Sequence, residues 1–254
     1  MKPRPYILSE CKWGYVRDEK FELAILPWGA CEAHNYHMPY GTDVYEADYI
    51  AATSARKAYN QGKKVIVLPT IPFGVNTGQM DIALDMNIYP STQQAILKDT
   101  IDVVQRAGIK KFLVLNSHGG NNFKTMLREL GPAYPEMLLT TCDWFKALDN
   151  NLYFDEPGDH AGEMESAFIL NTHPHLIDMS LAGDGSENKS KISGIREGWA
   201  WAERRWTQVS KDTGVGSPHM ATPEKGKRFL EDVTNKIALL FQELCEVDMV
   251  HLYE

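Results

Sequence analysis

Four short runs rich in Val, Ile or Leu, at 21–26, 64–68, 111–115 and 137–141, alternate with stretches of helical periodicity, and this constrains the fold of the chain more than any other feature. Strands separated by helices are the pattern of an α/β sheet. The clearest helix is predicted from Ser91, where Ser91-Thr92-Gln93-Gln94 offers a capping box closed by Gln94. It runs through Ile96, Ile101 and Val104 to Gly108 as a left-handed stop. Further helices are expected over 46–60, 122–130 and about 223–246, the last placing Phe229, Val233, Ile237, Leu240 and Leu244 on one side.

The chain has 254 residues, 43% of them hydrophobic, which suits one sizeable core. No linker, low-complexity tract or internal repeat divides it, so a single domain over 1–254 is expected. No 18-residue apolar run is present to span a bilayer. The opening Met1-Lys2-Pro3-Arg4-Pro5-Tyr6 lacks the apolar core of a signal peptide, which predicts a cytoplasmic protein without a membrane partner. Cys11, Cys31, Cys142 and Cys245 form no Cys-x-x-Cys pair and read as free thiols. A formal net charge of −8 argues against nucleic acid as a partner. A small molecule is the expected one.

In an open parallel sheet, functional groups gather where strands end and helices begin. The first strand leads into Glu32, His34 and Asp43, and a Glu-x-His pair puts both side chains on one face of an extended chain. O and N donors of this kind suit Zn, Mn or Fe(II). The third strand leads into Asn116-Ser117-His118-Gly119-Gly120-Asn121-Asn122, where the glycines let backbone bend around whatever the imidazole holds. As a phosphate cradle this turn lacks both the Lys-Ser/Thr of a P-loop and a third spaced glycine. The third polar cluster is Asp159-His160-Ala161-Gly162-Glu163-Met164-Glu165-Ser166. Glu32, His34, Asp43, His118 and Glu165 are enough donors for two ions bridged by one carboxylate, with Asp43 the natural bridge. Two metals about 3.5–4 Å apart acidify a shared water and polarise a carbonyl. His160 fits the proton carrier such hydrolysis needs, because imidazole titrates near neutral pH.

Taken together, Glu32-x-His34-x-x-His37-x-Pro39-x-Gly41-x-Asp43, Asn116-Ser-His118-Gly-Gly-Asn121 and His160-Ala-Gly162-x-x-Glu165-Ser166 resemble the creatininase, or creatinine amidohydrolase, family from near residue 20 to about 180. The resemblance implies a three-layer α/β/α sandwich with a mainly parallel central sheet and two divalent ions per chain. It also implies hydrolysis of a non-peptide C–N bond in a small, cyclic substrate, and a homohexamer built as a trimer of dimers. Carried over, it places Glu32 and His118 on one metal, His34 on the other, Asp43 between them, and His160 beside the substrate as acid/base.

This chain departs from the family at two points. Creatininase itself has a metal-binding carboxylate where Gly120 stands, so Glu165 is expected to take that place and serve catalysis with His160. The family's Gly-x-Ser-x-Glu-His element is replaced by Gly74-Val-Asn76-Thr77-Gly-Gln79. Asn76, Thr77, Gly119 and Gly120 are therefore read as substrate contacts, with Gln79 another neutral partner, and these suit a lactone or a sugar- or inositol-derived cyclic ketone as well as an amide. A noncatalytic metal-dependent binding protein is the reading from another class. Cys31, beside Glu32, raises a thiol nucleophile as a rival. His37 is assigned a supporting role, His173 and His175 surface or capping roles, and Glu163 a solvated helix start. Trp199, Trp201 and Trp206, with Arg204 and Arg205, read as packing, an interface or a pocket lid.

Overall fold

The computed structural model describes residues 3–156 and 158–253. The four apolar runs form β1 (Leu23–Trp28), β2 (Val65–Val67), β3 (Lys111–Asn116) and β4 (Leu138–Asp143). They make one parallel sheet in the order β2-β1-β3-β4. β1 is buried along its whole length, so its side chains alternate between two cores rather than between core and solvent.

Helices cover both faces. The described helices are α1 (Trp13–Asp18), α2 (Thr42–Asn60), α3 (Pro90–Arg106), α4 (Phe123–Leu130), α5 (Glu163–Thr172), α6 (Ser193–Arg196), α7 (Trp206–Val209) and α8 (Pro223–Glu246). Leu23, Ile25, Leu113 and Leu115 pack with Ile50 of α2, Phe168 of α5 and Phe229, Val233, Ile237 and Phe241 of α8. Ala24, Leu26, Trp28, Phe112 and Val114 pack with Leu97, Ile101 and Val104 of α3 and Phe123, Met126 and Leu130 of α4. This is the three-layer α/β/α arrangement that the family resemblance implies.

Two helix starts differ from expectation. α3 begins at Pro90 behind Tyr89, with no side-chain cap, and the N–H groups of Thr92 and Gln93 donate to the Tyr89 carbonyl. Proline at the first helical position has its φ preset and no N–H to satisfy, so it takes the start and moves Ser91 inside the first turn. Gly108 does follow the helix at φ 78°. α2 begins at Thr42, four residues before the expected 46, which places Asp43 in its first turn.

The register positions the chemistry. Trp28 pairs with Asn116, and Asn116 with Asp143, so three strands end level with one another. The segments after β1 and β3 therefore leave the same edge of the sheet.

Candidate metal centre

Glu32, His34 and Asp43 arrive from the β1 exit and the first turn of α2, His118 from the β3 exit, and His160 and Glu165 from the turn and first turn of α5. Glu32 Oε1 and Asp43 Oδ2 each lie 2.9 Å from His118 Nδ1. His34 Nε2 lies 3.1 Å from Asp43 Oδ1 and 3.9 Å from Glu165 Oε1. Two donor triads result, Glu32/Asp43/His118 and His34/Asp43/Glu165, which share Asp43, one of its oxygens facing each. Glu32, His34 and His160 form a third grouping, with His160 Nδ1 3.8 Å from Glu32 Oε1.

The histidines are fixed from behind. His34 Nδ1 lies 3.1 Å from the Glu32 carbonyl, His118 Nε2 3.1 Å from the Val75 carbonyl, and His160 Nε2 2.9 Å from the Ala33 carbonyl. A carbonyl only accepts, so each of these nitrogens donates a proton outward and turns the other nitrogen into the site, the arrangement common behind metal-bound imidazoles. Local backbone serves the same end. Ala161, at φ 51°, directs its N–H to Glu165 Oε2, leaving Glu165 Oε1 toward His34.

Such a cluster calls for a cation. Among the described residues His34 Nε2 is buried without a hydrogen-bond partner, as is Asp43 Oδ2, which is close to His118 Nδ1 but makes no aligned bond. Burial alone would depress both imidazoles, yet Asp43, Glu165 and Glu32 around His34, and Glu32 and Asp43 around His118, lift them well above the ordinary histidine value. Burial likewise opposes ionisation of Glu32, but His118, His160 and His34 hold its carboxyl far below the usual range. Positive charge is thus favoured at the centre of each triad. Oxygen and imidazole donors at these separations fit a divalent ion such as Zn, Mn or Fe(II) at each.

The centre opens into a cavity of about 810 Å³. Asn76, Gly119 and Gly120, expected at the substrate, line it. Thr77 does not: its hydroxyl donates to Glu203 Oε2 at 2.8 Å. Gln79 lines the cavity, but its Nε2 donates to Glu32 Oε2. Two of the expected neutral contacts are therefore engaged within the protein; Asn122 and Lys124 add polar wall, beside Asn121, Lys146 and Asn150, which are likewise bonded within the protein.

Gly120 has no space for the carboxylate that creatininase carries there. A Cβ would meet the Val75 carbonyl at 2.4 Å and His118 Nε2 at 2.5 Å, the two atoms of the bond that orients His118.

Of the other residues, Glu163 departs from expectation. Glu163 is fully buried rather than solvated, accepting from Lys225 Nζ and, at 2.7 Å, from the Glu156 N–H, so it ties α5 to α8. Burial, with Asp85 and Asp43 nearby, pushes the Cys31 thiol up, the wrong direction for a nucleophile. His37 lies 2.8 Å from Ser166 Oγ, and His173 and His175 lie outside the cluster. Trp201 and Trp206 line the cavity, with the Trp206 ring 4.9 Å from that of His160.

Glu46 was missed. It lines the cavity, is buried, and is pushed well above the carboxylate range by burial and by Glu165 and Asp43, with Ser117 Oγ at 3.3 Å and one oxygen unpartnered. Its spacing was a usable signal, because Asp43, Glu46, Ala47 and Ile50 share the buried stripe of α2.

Fold and donor set together define an α/β protein built to hold divalent metal at a sheet edge. Residues 9–241 match the family model described as creatininase, creatinine amidohydrolase, and the chain belongs to that family. A solved Bacteroides fragilis protein, provisionally described as a creatinine amidohydrolase, is 39% identical with a TM-score of 0.92, the match covering 98% of this chain and 99% of that one. The creatinine amidohydrolase of Pseudomonas putida is 24% identical over 64% of this chain and 68% of its own. The mycofactocin precursor peptide peptidase of Mycobacterium ulcerans (strain Agy99) is 22% identical over 84% of each chain. Creatininase structures of Zn-Zn and Mn type, 19% and 18% identical over 95% of this chain and 99% of theirs, share the fold at a TM-score of 0.79.

Proposed function

We propose that this protein is a metal-dependent hydrolase that cleaves an amide C–N bond in a small polar substrate, cyclic and non-peptide in the fullest form of the reading. The carrying observation is the pair of donor triads sharing Asp43, with His160 alongside. Glu32 and His118 would hold one divalent ion and His34 and Glu165 the other, with Asp43 common to both. Bound Zn, Mn or Fe(II) would supply a Lewis acid for the carbonyl and a water acidic enough to attack at neutral pH.

The remaining work falls to the chain. His160 Nε2 is committed to the Ala33 carbonyl, so Nδ1 is the atom that exchanges a proton. It faces Glu32, beside the cluster, where it can deliver that proton to a departing nitrogen. An amine leaves poorly without one, whereas the alkoxide of a lactone depends on it less, and this favours the amide. Gly119, Gly120 and Asn76 would bound the substrate, in a cavity lined also by polar Asn122 and Lys124 and by aromatic Trp206. The cavity has room for more than one five-membered ring, and named relatives act on both creatinine and a peptide.

A homohexamer in the cytoplasm completes the proposal. Met80, Leu84, Trp199 and Trp201, on segments near the cavity mouth, expose large apolar side chains of the kind assembly covers.

Metal content by elemental mass spectrometry, paired with an amide and lactone screen, tests the reading. Wild type should carry about two ions per chain, and Asp43→Ala should lose both together with turnover, by more than about 10⁴-fold. Turnover that persists in metal-free protein would overturn it.

A further inference from the structure

The carboxylates at the centre divide their oxygens in the same way but rest on different supports. Glu165 turns Oε1 toward His34 and gives Oε2 to the N–H of Ala161, four residues away on its own turn. Glu32 turns Oε1 toward His118 and gives Oε2 to Gln79 Nε2, a side chain 47 residues away. Among the described residues Gln79 is the only donor to that oxygen, and both side chains are buried.

Gln79 stands on the turn Thr77–Gln79, and that turn is fastened from outside. Thr77 Oγ1 donates to Glu203 Oε2 at 2.8 Å, and Thr207 Oγ1 to Asp81 Oδ2 at 2.7 Å. Between them the backbones press together so closely that a Cβ on Gly78 would lie 2.2 Å from the Arg204 carbonyl oxygen. The same 203–207 segment carries Trp206, whose ring packs on His160, while Arg204 pairs with Asp159 and lies over the Trp206 ring. One clasp at the cavity mouth therefore reaches inward along two lines, Gln79 to Glu32 and Trp206 to His160, and these end on groups 3.8 Å apart.

We infer that Gln79 is a positioning residue for Glu32, and that the 77–81/203–207 clasp holds it in place, so that closure of the mouth is coupled to assembly of the Glu32/Asp43/His118 metal position. The inference rests on the metal reading above. Without Gln79 the second oxygen of Glu32 would lose its anchor, and the carboxylate would be free to rotate away from His118, so that it would hold an ion less firmly. Removing such an outer partner weakens metal binding by about 10–100-fold. The loss is confined to one position, because Glu165 on the other side is anchored by backbone. By linkage, an ion at the Glu32 position tightens the clasp as much as the clasp tightens the ion.

The test is manganese binding to wild type, Gln79→Leu and the double variant Thr77→Val/Thr207→Val, with affinity read by chelator competition and the two-ion state by electron paramagnetic resonance. Wild type should show two affinities close together and the spin-coupled signal of neighbouring ions. Gln79→Leu should keep one affinity, lose about 10–100-fold in the other, and show an isolated-ion signal at the manganese level that couples wild type. The double variant replaces only mouth hydroxyls with isosteric methyls, so it carries the test if Gln79→Leu fails to fold, and its loss should be smaller and at the same position. Two unchanged affinities in folded Gln79→Leu, or equal loss at both positions, overturns the inference while leaving the metal centre intact. Absence of binding to wild type would instead overturn the metal reading and this inference with it.

Discussion

The floor and the mouth of the cavity are built by different means. Floor residues leave strand ends in register and helix first turns, with β1 buried along its whole length and α2 packed on the sheet through its buried stripe. The mouth is made of loops and single helical turns, Thr77–Gln79 and α7, joined by hydroxyl–carboxylate bonds and bearing exposed Trp199 and Trp201. The difference teaches that the part needing sub-ångström placement sits on the sheet and the helices packed on it, and the part that must admit substrate is held by side-chain bonds between short surface segments.

The sharpest way to break that division is at His160, which belongs to the floor by its Ala33 bond and to the mouth by its Trp206 contact. His160→Gln should lower turnover of any amide the wild type cleaves by about 10²–10⁴-fold, the usual contribution of a positioned acid/base. It should also retain both metal ions, as elemental analysis would show. Loss of an ion would make His160 a ligand, through its grouping with Glu32 and His34, instead of the proton carrier.

A smaller effect, within the floor, is expected at Gly120. Gly120→Ala sets a methyl between the Val75 carbonyl and His118 Nε2, so the bond that orients His118 must open. Metal affinity should fall by about 10–100-fold, as for other losses behind a ligand, with the helical circular-dichroism signal unchanged. Undiminished affinity would show that His118 does not depend on that support.

What could be read in the sequence follows the same line. Glu32 and His34 stand two residues apart on one extended segment, and Asp43 lies within the next turn of chain, so short spacing alone announces them. The four strands declare themselves by composition, although the helix over 46–60 begins early enough to take in Asp43. The mouth is hidden because its partners are distant: Thr77 and Glu203, like Asp81 and Thr207, are 126 positions apart. Thr77 and Gln79 looked like free hydrogen-bonding groups because nothing local engages them. Glu163 looked solvated because Lys225, its partner, lies 62 residues on. Thr77, Gln79 and Glu163 read as unassigned polarity because the fold supplies their partners, whereas His118 and His160, whose partners are as distant, are legible only through the motifs around them.

The smallest expected effect concerns how the floor is held from behind. His37 packs against Ser166, next to Glu165, with Nε2 2.8 Å from the hydroxyl and Nδ1 buried without a partner. Burial, aided by His34, lowers its pKa from the 6.5 of an ordinary imidazole to about 4. Because the unfolded chain binds a proton there that the folded chain refuses, the unfolded state is the more protonated one between those values. Stability therefore increases with pH across that window: the contribution is complete above about 6.5 and is lost on acidification toward 4. His37→Gln keeps a polar group toward Ser166 but cannot titrate. Urea midpoints of wild type and variant, compared at pH 7 and pH 5, should thus converge on acidification, the difference cancelling titrations common to both. A gap that stays constant would mean that His37 is not held neutral, and that the back of the floor is as accessible to water as its mouth.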